Sequence, residues 1–335
     1  MDRKGQVVIT PVFSDARDFF HGLAGVELNE KWGFIDEKGT FVIPPRFDEV
    51  RDFLDDLAPV RIGRKWGFID LTGRIGIEPR YQAAGEFHEG LARVYVWSKA
   101  QCGYFKYTNE DAPWYAFRFF EDRIFDSGGC AALDGRMGFI DKGGVEVIPP
   151  KFAEARDFAE GMAAVWVDAF SKFGYIDRTG AMVIAPWFNQ AGPFAEGLAA
   201  VETSAHAVGN QVVDTAWGFI DKTGALKIPD RFQYAGTFSE GLARVAIKPG
   251  VSEGYIDHDG KMVIPARFWE ASDFSDGLAV ACANDCAYIN RSGRAVLRDD
   301  AYWPFSDGLA VVDSEEPMVY INKRGRRIAP YAIVK

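Results

Sequence analysis

Short apolar runs, each closed by an acid and then a glycine three residues further on, return along the chain in a fixed order. Trp32-Gly33-Phe34-Ile35-Asp36 recurs at 66–70, 137–141, 173–177, 217–221 and 253–257, with weaker copies starting at Cys102, Cys286 and Met318. The spacing stays between 32 and 36 residues except for one step of 44, after the copy at 173. Self-similarity at such a period is the mark of a repeat architecture. Each Gly-aromatic-Ile-Asp run is short, β-prone and bounded by a turn signal, which predicts a strand. Asp36, Asp70, Asp141, Asp177, Asp221, Asp257, Asn290 and Asn322 each stand three residues before a glycine. An Asx side chain bonds the backbone two residues on and glycine accepts positive φ, so these eight are expected to form turns.

The rest of each unit follows in the same order: a segment like Val42-Ile43-Pro44-Pro45-Arg46-Phe47, then Phe-x-x-Ala-x-x-Phe as in 188–194, then one like Gly90-Leu91-Ala92-Arg93-Val94. This ordered set resembles the bacterial WG-repeat family, named for its Trp-Gly pair. The Trp stands in three of nine copies, at Trp32, Trp66 and Trp217, and the Gly in seven.

The Val-Ile-Pro segment predicts a second strand, whose prolines place its end, or the whole strand, at a sheet edge. In Phe-x-x-Ala-x-x-Phe, internal residues such as Gly192 and Pro193 argue against a helix and favour a coil or single helical turn pinned by two buried Phe. The Leu-Ala-x-Val piece supplies a third strand. The expected fold class is all-β: tandem three-stranded antiparallel meanders, joined by coils of about ten residues that carry the chain back across the sheet. A unit this small cannot bury its own apolar face and must stack on its neighbours. Residues 1–335 read as a single repeat domain of about nine WG-type units, with insertions near 106–124 and 202–216. Two packings stay open, an open β superhelix or solenoid and a closed propeller-like ring; the unmatched terminal half-units favour the open form.

Composition narrows the chemistry. Aromatics are plentiful, with 27 Phe, 12 Tyr and 9 Trp, whereas His and Cys number four each. The net charge of −10 argues against a nucleic-acid partner. No apolar run approaches the roughly 18 residues of a membrane span, and no signal-type stretch follows Met1, so neither membrane nor export is expected and the chain reads as cytoplasmic. The four His are scattered, no metal or cofactor is implied, and Cys282 and Cys286 read as buried thiols of a reducing compartment. Lys323-Arg324-Gly325-Arg326-Arg327 flanks a hairpin glycine and reads as solvated capping. An acid row (Asp55, Glu89, Glu160, Glu196, Glu240, Asp276, Asp307) could bind cations or a basic partner. The structural reading is favoured: each acid accepts backbone N–H bonds at a turn or pairs with the basic row Arg46, Arg80, Lys151, Arg231 and Arg267.

These readings leave little side-chain chemistry outside architecture. The expected function is a non-enzymatic scaffold for protein–protein interaction, its partner a basic protein or, by analogy, a toxin. The insertion after the third copy supplies the candidate contact residues Trp114, Tyr115, Phe117, Arg118, Phe119 and Phe120, of the types that dominate interface hot spots. The alternative is carbohydrate or cell-envelope binding, which requires Trp32, Trp66 and Trp217 to face solvent.

Overall fold

The glycine of each Trp-Gly pair has a steric reason to be glycine. A Cβ built on Gly33 would lie 2.5 Å from the Ile43 carbonyl oxygen and 2.7 Å from the Pro45 nitrogen; one on Gly67 would lie 2.4 Å from the Ile77 oxygen. The strand following the Asx turn therefore crosses directly over that glycine. It does so through a bulge: Trp32 pairs with Phe47 and Phe34 with Ile43, so the residues between 43 and 47, including Pro44 and Pro45, arch over Gly33. Ala287 and Val319 occupy the glycine slot in the copies beginning at Cys286 and Met318. Opposite Ala287 the crossing strand is Ala295–Leu297, against seven residues in each of the six sheets that keep the glycine.

The computed structural model describes residues 12–97, 135–167, 172–208, 211–247, 253–298, 303–306, 308–313 and 319–328. Within them the chain is all-β, a tandem series of antiparallel sheets with strands in sequential order and none closed into a barrel. Eight sheets are present among the described residues, numbered here 1 to 8 in chain order. Sheet 1 comprises Asp15–Phe20, Leu23–Leu28, Lys31–Asp36 and Phe41–Phe47. Sheets 2 to 7 repeat this plan, and sheet 8 shows three strands, Leu309–Asp313, Val319–Asn322 and Arg327–Ile328.

The unit is four-stranded, which corrects the expected three-stranded meander. The extra strand is the Phe-x-x-Ala-x-x-Phe segment, predicted as coil. It forms Ala83–His88, Gln190–Ala195 and Tyr234–Ser239 in full, and Glu49–Val50, Glu154–Ala155 and Glu270–Ala271 in shorter form. As the first, edge strand of its sheet it tolerates the glycine and proline that seemed to forbid regular structure: Gly192 and Pro193 fall where the register shifts between Ala191 and Phe194. Four strands also return the chain to the end where it started. A single residue, such as Asp48, Gln82 or Asn189, then separates one sheet's fourth strand from the next sheet's first, in place of the expected ten-residue coil.

In the third sheet Leu91–Trp97 pairs with Gly135–Asp141, with Trp97 opposite Gly135. The weak copy at Cys102 and the insertion near 106–124 lie outside the described residues. The excursion near 202–216 belongs to a lengthened hairpin, Leu198–Val208 against Gln211–Ile220.

The second and third strands are buried on both faces, so they carry near-continuous apolar runs such as Leu23–Val26 and Trp32–Ile35. Their cover is the neighbouring sheet. Phe34 packs on Phe53 of sheet 2 with ring centroids 4.7 Å apart, and the same pair, Phe or Tyr on Phe, recurs at all seven interfaces at 4.7–5.0 Å. Where tyrosine replaces phenylalanine its hydroxyl donates across the interface, Tyr175 to the Gly192 carbonyl at 2.8 Å and Tyr255 to that of Ser272 at 2.7 Å. The buried clusters join sheets adjacent in the chain. The sheets thus stack in chain order as a repeat solenoid.

Two outcomes follow from this geometry. Gly67→Ala should cost about 1–3 kcal/mol by overpacking against strand backbone, whereas Gly76→Ala, whose nearest atoms lie 3.9 Å away, should be neutral or stabilising by up to ~1 kcal/mol; urea unfolding of the two variants checks the contrast. The second concerns acid. The Thr179 hydroxyl and backbone N–H groups hold the Asp177 carboxyl below its ordinary value, and the Thr223 hydroxyl and then Lys227 do the same for Asp221. A lowered folded-state pKa adds stability above the unfolded value of about 4, lost as pH falls through the folded one. Asn290 and Asn322 hold the same turns. Asp177→Asn with Asp221→Asn should therefore keep the fold at pH 7 and show a shallower fall in melting temperature between pH 5 and pH 2 than the parent.

Candidate interaction surface

The two ends of each sheet differ in how much the sequence is free to vary. At one end lie the turns between strands one and two and between strands three and four. The first is a two-residue turn with positive φ at both positions: 53° and 79° at Glu89-Gly90, 51° and 85° at Glu160-Gly161. This is the left-handed hairpin turn that matches strand twist, and glycine accepts it at its second position. In the second turn, Asp36 Oδ1 accepts the N–H groups of Lys38 and Thr40. Asp70, Asp141, Asp177, Asp221, Asp257, Asn290 and Asn322 repeat the arrangement. The Asx row forms turns, as expected.

The acid row is used between sheets. Asp55 accepts the N–H of Gly90, and Glu89, Glu160, Glu196, Glu240 and Asp276 accept those of Gly161, Gly197, Gly241, Gly277 and Gly308, at 2.6–3.2 Å. Each carboxylate caps the equivalent turn of the following sheet. Lys222 reaches Glu160 at 3.1 Å, His258 reaches Glu196 at 3.0 Å and Lys323 reaches Asp276 at 3.6 Å. Burial pushes the Glu160 carboxyl up, but the Lys222 ammonium and the Gly197 N–H outweigh it and hold it below the usual range. Asp307 is outside the described residues.

The basic row does not pair with these acids. Arg46, Arg80, Arg231 and Arg267 donate to the carbonyls of Gly73, Gly144, Gly260 and Gly293, the Asx-turn glycines of the next sheet. Each guanidinium also lies over the adjoining ring, Phe47, Tyr81, Phe232 or Phe268, at 4.9–5.2 Å. Other charges bridge neighbouring sheets along the first strands: Arg93 of sheet 3 grips both oxygens of Asp157 in sheet 4, at 2.5 and 2.9 Å, and donates to the Ala155 carbonyl. Burial pushes the carboxyls of Asp52 and Glu154 up. Among the described residues no three His, Cys, Asp or Glu side chains converge to hold a metal ion.

The opposite rim carries the turns between strands two and three together with the sheet-to-sheet junctions. Here length varies freely, from two residues in sheets 1 and 2, three in sheet 7 and four in sheet 4 to the excursion leaving Trp97 and returning at Gly135. Trp114, Tyr115, Phe117, Arg118, Phe119 and Phe120 belong to that excursion and lie outside the described residues, whereas its roots stand on this rim. Exposed aromatic side chains stand here too, Tyr234, Trp187 at 71% exposure and Trp269 at 53%, whereas exposed aliphatic ones occur at both ends, Ile62 and Ile247 here and Val42, Met182 and Val263 beside the Asx turns. Trp187 takes the slot that holds arginine in sheets 1, 2, 5 and 6.

Two of the three tryptophans of the Trp-Gly pairs are buried, and Trp217 is partly so. Trp32 and Trp66 are 8% and 5% exposed, with Arg17 and Arg51 over their rings, and Trp217 packs on Tyr234 at 5.7 Å. The condition for sugar stacking is not met at Trp32 and Trp66. Cys282 and Cys286, expected as thiols, are joined as a disulfide on this rim, because the three-residue turn between them makes the two directly opposed cross-strand partners.

On the fourth-strand side, a cleft of about 870 Å³ opens between sheets 6 and 7. It lies beside the shortened strand Ala295–Leu297, and its lining includes Arg267, Arg294, Arg298, Asp285 and Ala287. A smaller cleft of about 500 Å³, with Arg46 and Arg74, occupies the equivalent place between sheets 1 and 2.

Among solved structures the chain is similar to an acylaminoacyl peptidase of Pyrococcus horikoshii, at 10% identity over 85% of this chain and 51% of that one, with a TM-score of 0.44. It is also similar to a eukaryotic initiation factor, at 9% identity over 90% and 93% with a TM-score of 0.44, and to a streptogramin B lyase, at 12% over 82% and 92% with a TM-score of 0.38. The chain spans about half the length of the peptidase. No curated protein matches it. The family model described as WG containing repeat matches residues 1–32, 32–66, 66–96, 137–168, 173–204, 217–248 and 254–285. These seven stretches make up most of the chain, which therefore belongs to the WG-repeat family.

Proposed function

We propose that this chain is a non-enzymatic scaffold that binds another protein along the rim carrying the strand-two to strand-three turns. The observation behind the reading is the asymmetry between the two ends of the sheets. One end is fixed in length and saturated with Asx, acid–glycine and arginine–carbonyl bonds. The other accepts insertions and exposes aromatics, and in repeat proteins insertions mark the binding face. Trp187 and Trp269 serve as anchors on this face, together with Trp114 and Phe117 from the excursion rooted there. A basic partner, a toxin among them, suits the net charge of −10, since long-range attraction speeds encounter.

The test is capture on the immobilised full chain from a native lysate, followed by affinity measurement with the purified retained protein. Trp187→Ala with Trp269→Ala should weaken binding at least about tenfold, without moving the melting temperature, and the partner should be basic and bind less tightly as salt rises. An unchanged affinity in that double variant, repeated with Trp114→Ala and Phe117→Ala, would sink the reading, as would retention of no specific protein.

A further inference from the structure

The cleft between sheets 6 and 7 is larger than its counterpart between sheets 1 and 2, about 870 Å³ against about 500 Å³, and it lies beside a departure from the repeat. Ala287 stands where glycine elsewhere lets the fourth strand cross, and the strand opposite is cut to Ala295–Leu297. The space beside it is the cleft, and its charge is opposite to that of the molecule. Three arginines line it against one carboxylate, Asp285, among the described residues, in a chain of net charge −10.

The three guanidinium groups are not equally committed. Arg267 spends Nη2 on the Gly293 carbonyl at 2.9 Å and lies over Phe268, an arrangement that fixes its plane and leaves its other N–H groups available. Arg294 and Arg298 are exposed, and neither side chain makes an ion pair or hydrogen bond to another described residue. Arg294 takes the slot of Arg74 in the smaller cleft, whereas Arg298 takes the slot of Pro44 and Pro265 and has no basic counterpart in the other fourth strands. The third positive charge is thus particular to the larger cleft.

We propose that this cleft is a binding site for a multiply charged oxyanion, carried as phosphate or as clustered carboxylates. Arginine presents planar forks of donors that match both groups and stays charged at every physiological pH. A volume of about 870 Å³ is in the range of small-ligand sites, roughly 300–1,000 Å³. The anchored Arg267 orients the ligand, and Arg294 and Arg298 close on it. The cleft adjoins the rim, since Ala283, Asn284 and Asp285 of the sheet 7 turn line it and Trp269 follows the lining Phe268; the tryptophan variants test the anchors and the arginine variants test the cleft, so either assignment can fail without the other.

The experiment is isothermal titration calorimetry of the full chain with pyrophosphate and, separately, with citrate in a buffer free of both anions. At least one should bind with a stoichiometry of one, and binding should weaken as sodium chloride rises. Arg294→Gln with Arg298→Gln should reduce affinity at least about tenfold, which is about 1.4 kcal/mol. Both residues are exposed, so an unchanged thermal melt establishes that this variant is folded. Arg74→Gln, in the smaller cleft, should leave affinity within about twofold. Pyrophosphate binding alone would assign phosphate, citrate binding alone would assign clustered carboxylates, and binding of both would assign a site that reads the charge of either. Binding of neither anion, or equal affinity in the double variant and the parent, would overturn the site.

Discussion

A four-stranded sheet whose central strands are apolar on both faces has no stable existence in water alone. Everything else in this molecule answers that constraint. The ring pair between successive sheets, Phe34 on Phe53 and its six successors, supplies the contact, each pair adding about 0.5–1.5 kcal/mol beyond the area it buries. Two sets of polar bonds set the stacking register at one end of the sheets. A carboxylate reaches forward to the next acid–glycine turn, and an arginine reaches forward to the next Asx-turn glycine carbonyl. Charges that in isolation suggest a binding surface are therefore fasteners, and their periodicity follows from the period of the stack.

Much of this was legible in the sequence. The Trp-Gly strand, the Asx turns, the prolines at an edge and the need for stacking are all set by residues adjacent in the chain, so local reasoning reaches them. The first strand was missed because Gly192 and Pro193 read as breakers, and their harmlessness on a bulged edge appears only once the sheet order is known. A signal was present even so. Glu196-Gly197 between two apolar runs marks a two-residue hairpin, and three strands leave the chain at the wrong end. The cysteine pairing was hidden for the same reason, since Cys282 and Cys286 face each other only after the turn between them is fixed at three residues.

The candidate sites were less legible than the fold. An insertion can be seen in a sequence, but the rim it decorates depends on strand parity, and exposure at Trp187 and Trp269 depends on what the neighbouring sheets leave uncovered. The cleft was the least visible. Its arginines come from two different sheets, so no single stretch of sequence displays them together. Degenerate copies of a repeat are easily dismissed as weakened versions of the rest, yet sheet 7 is where the larger cleft and its exposed arginines lie.

Because four is even, every unit hands the chain on at the edge where it received it, with one residue between sheets. Duplicating or deleting a block of about 35 residues therefore adds or removes a whole layer without rethreading its neighbours. Such a chain can lengthen in discrete steps by recombination, with each new layer carrying its own fasteners and offering one more loop to selection.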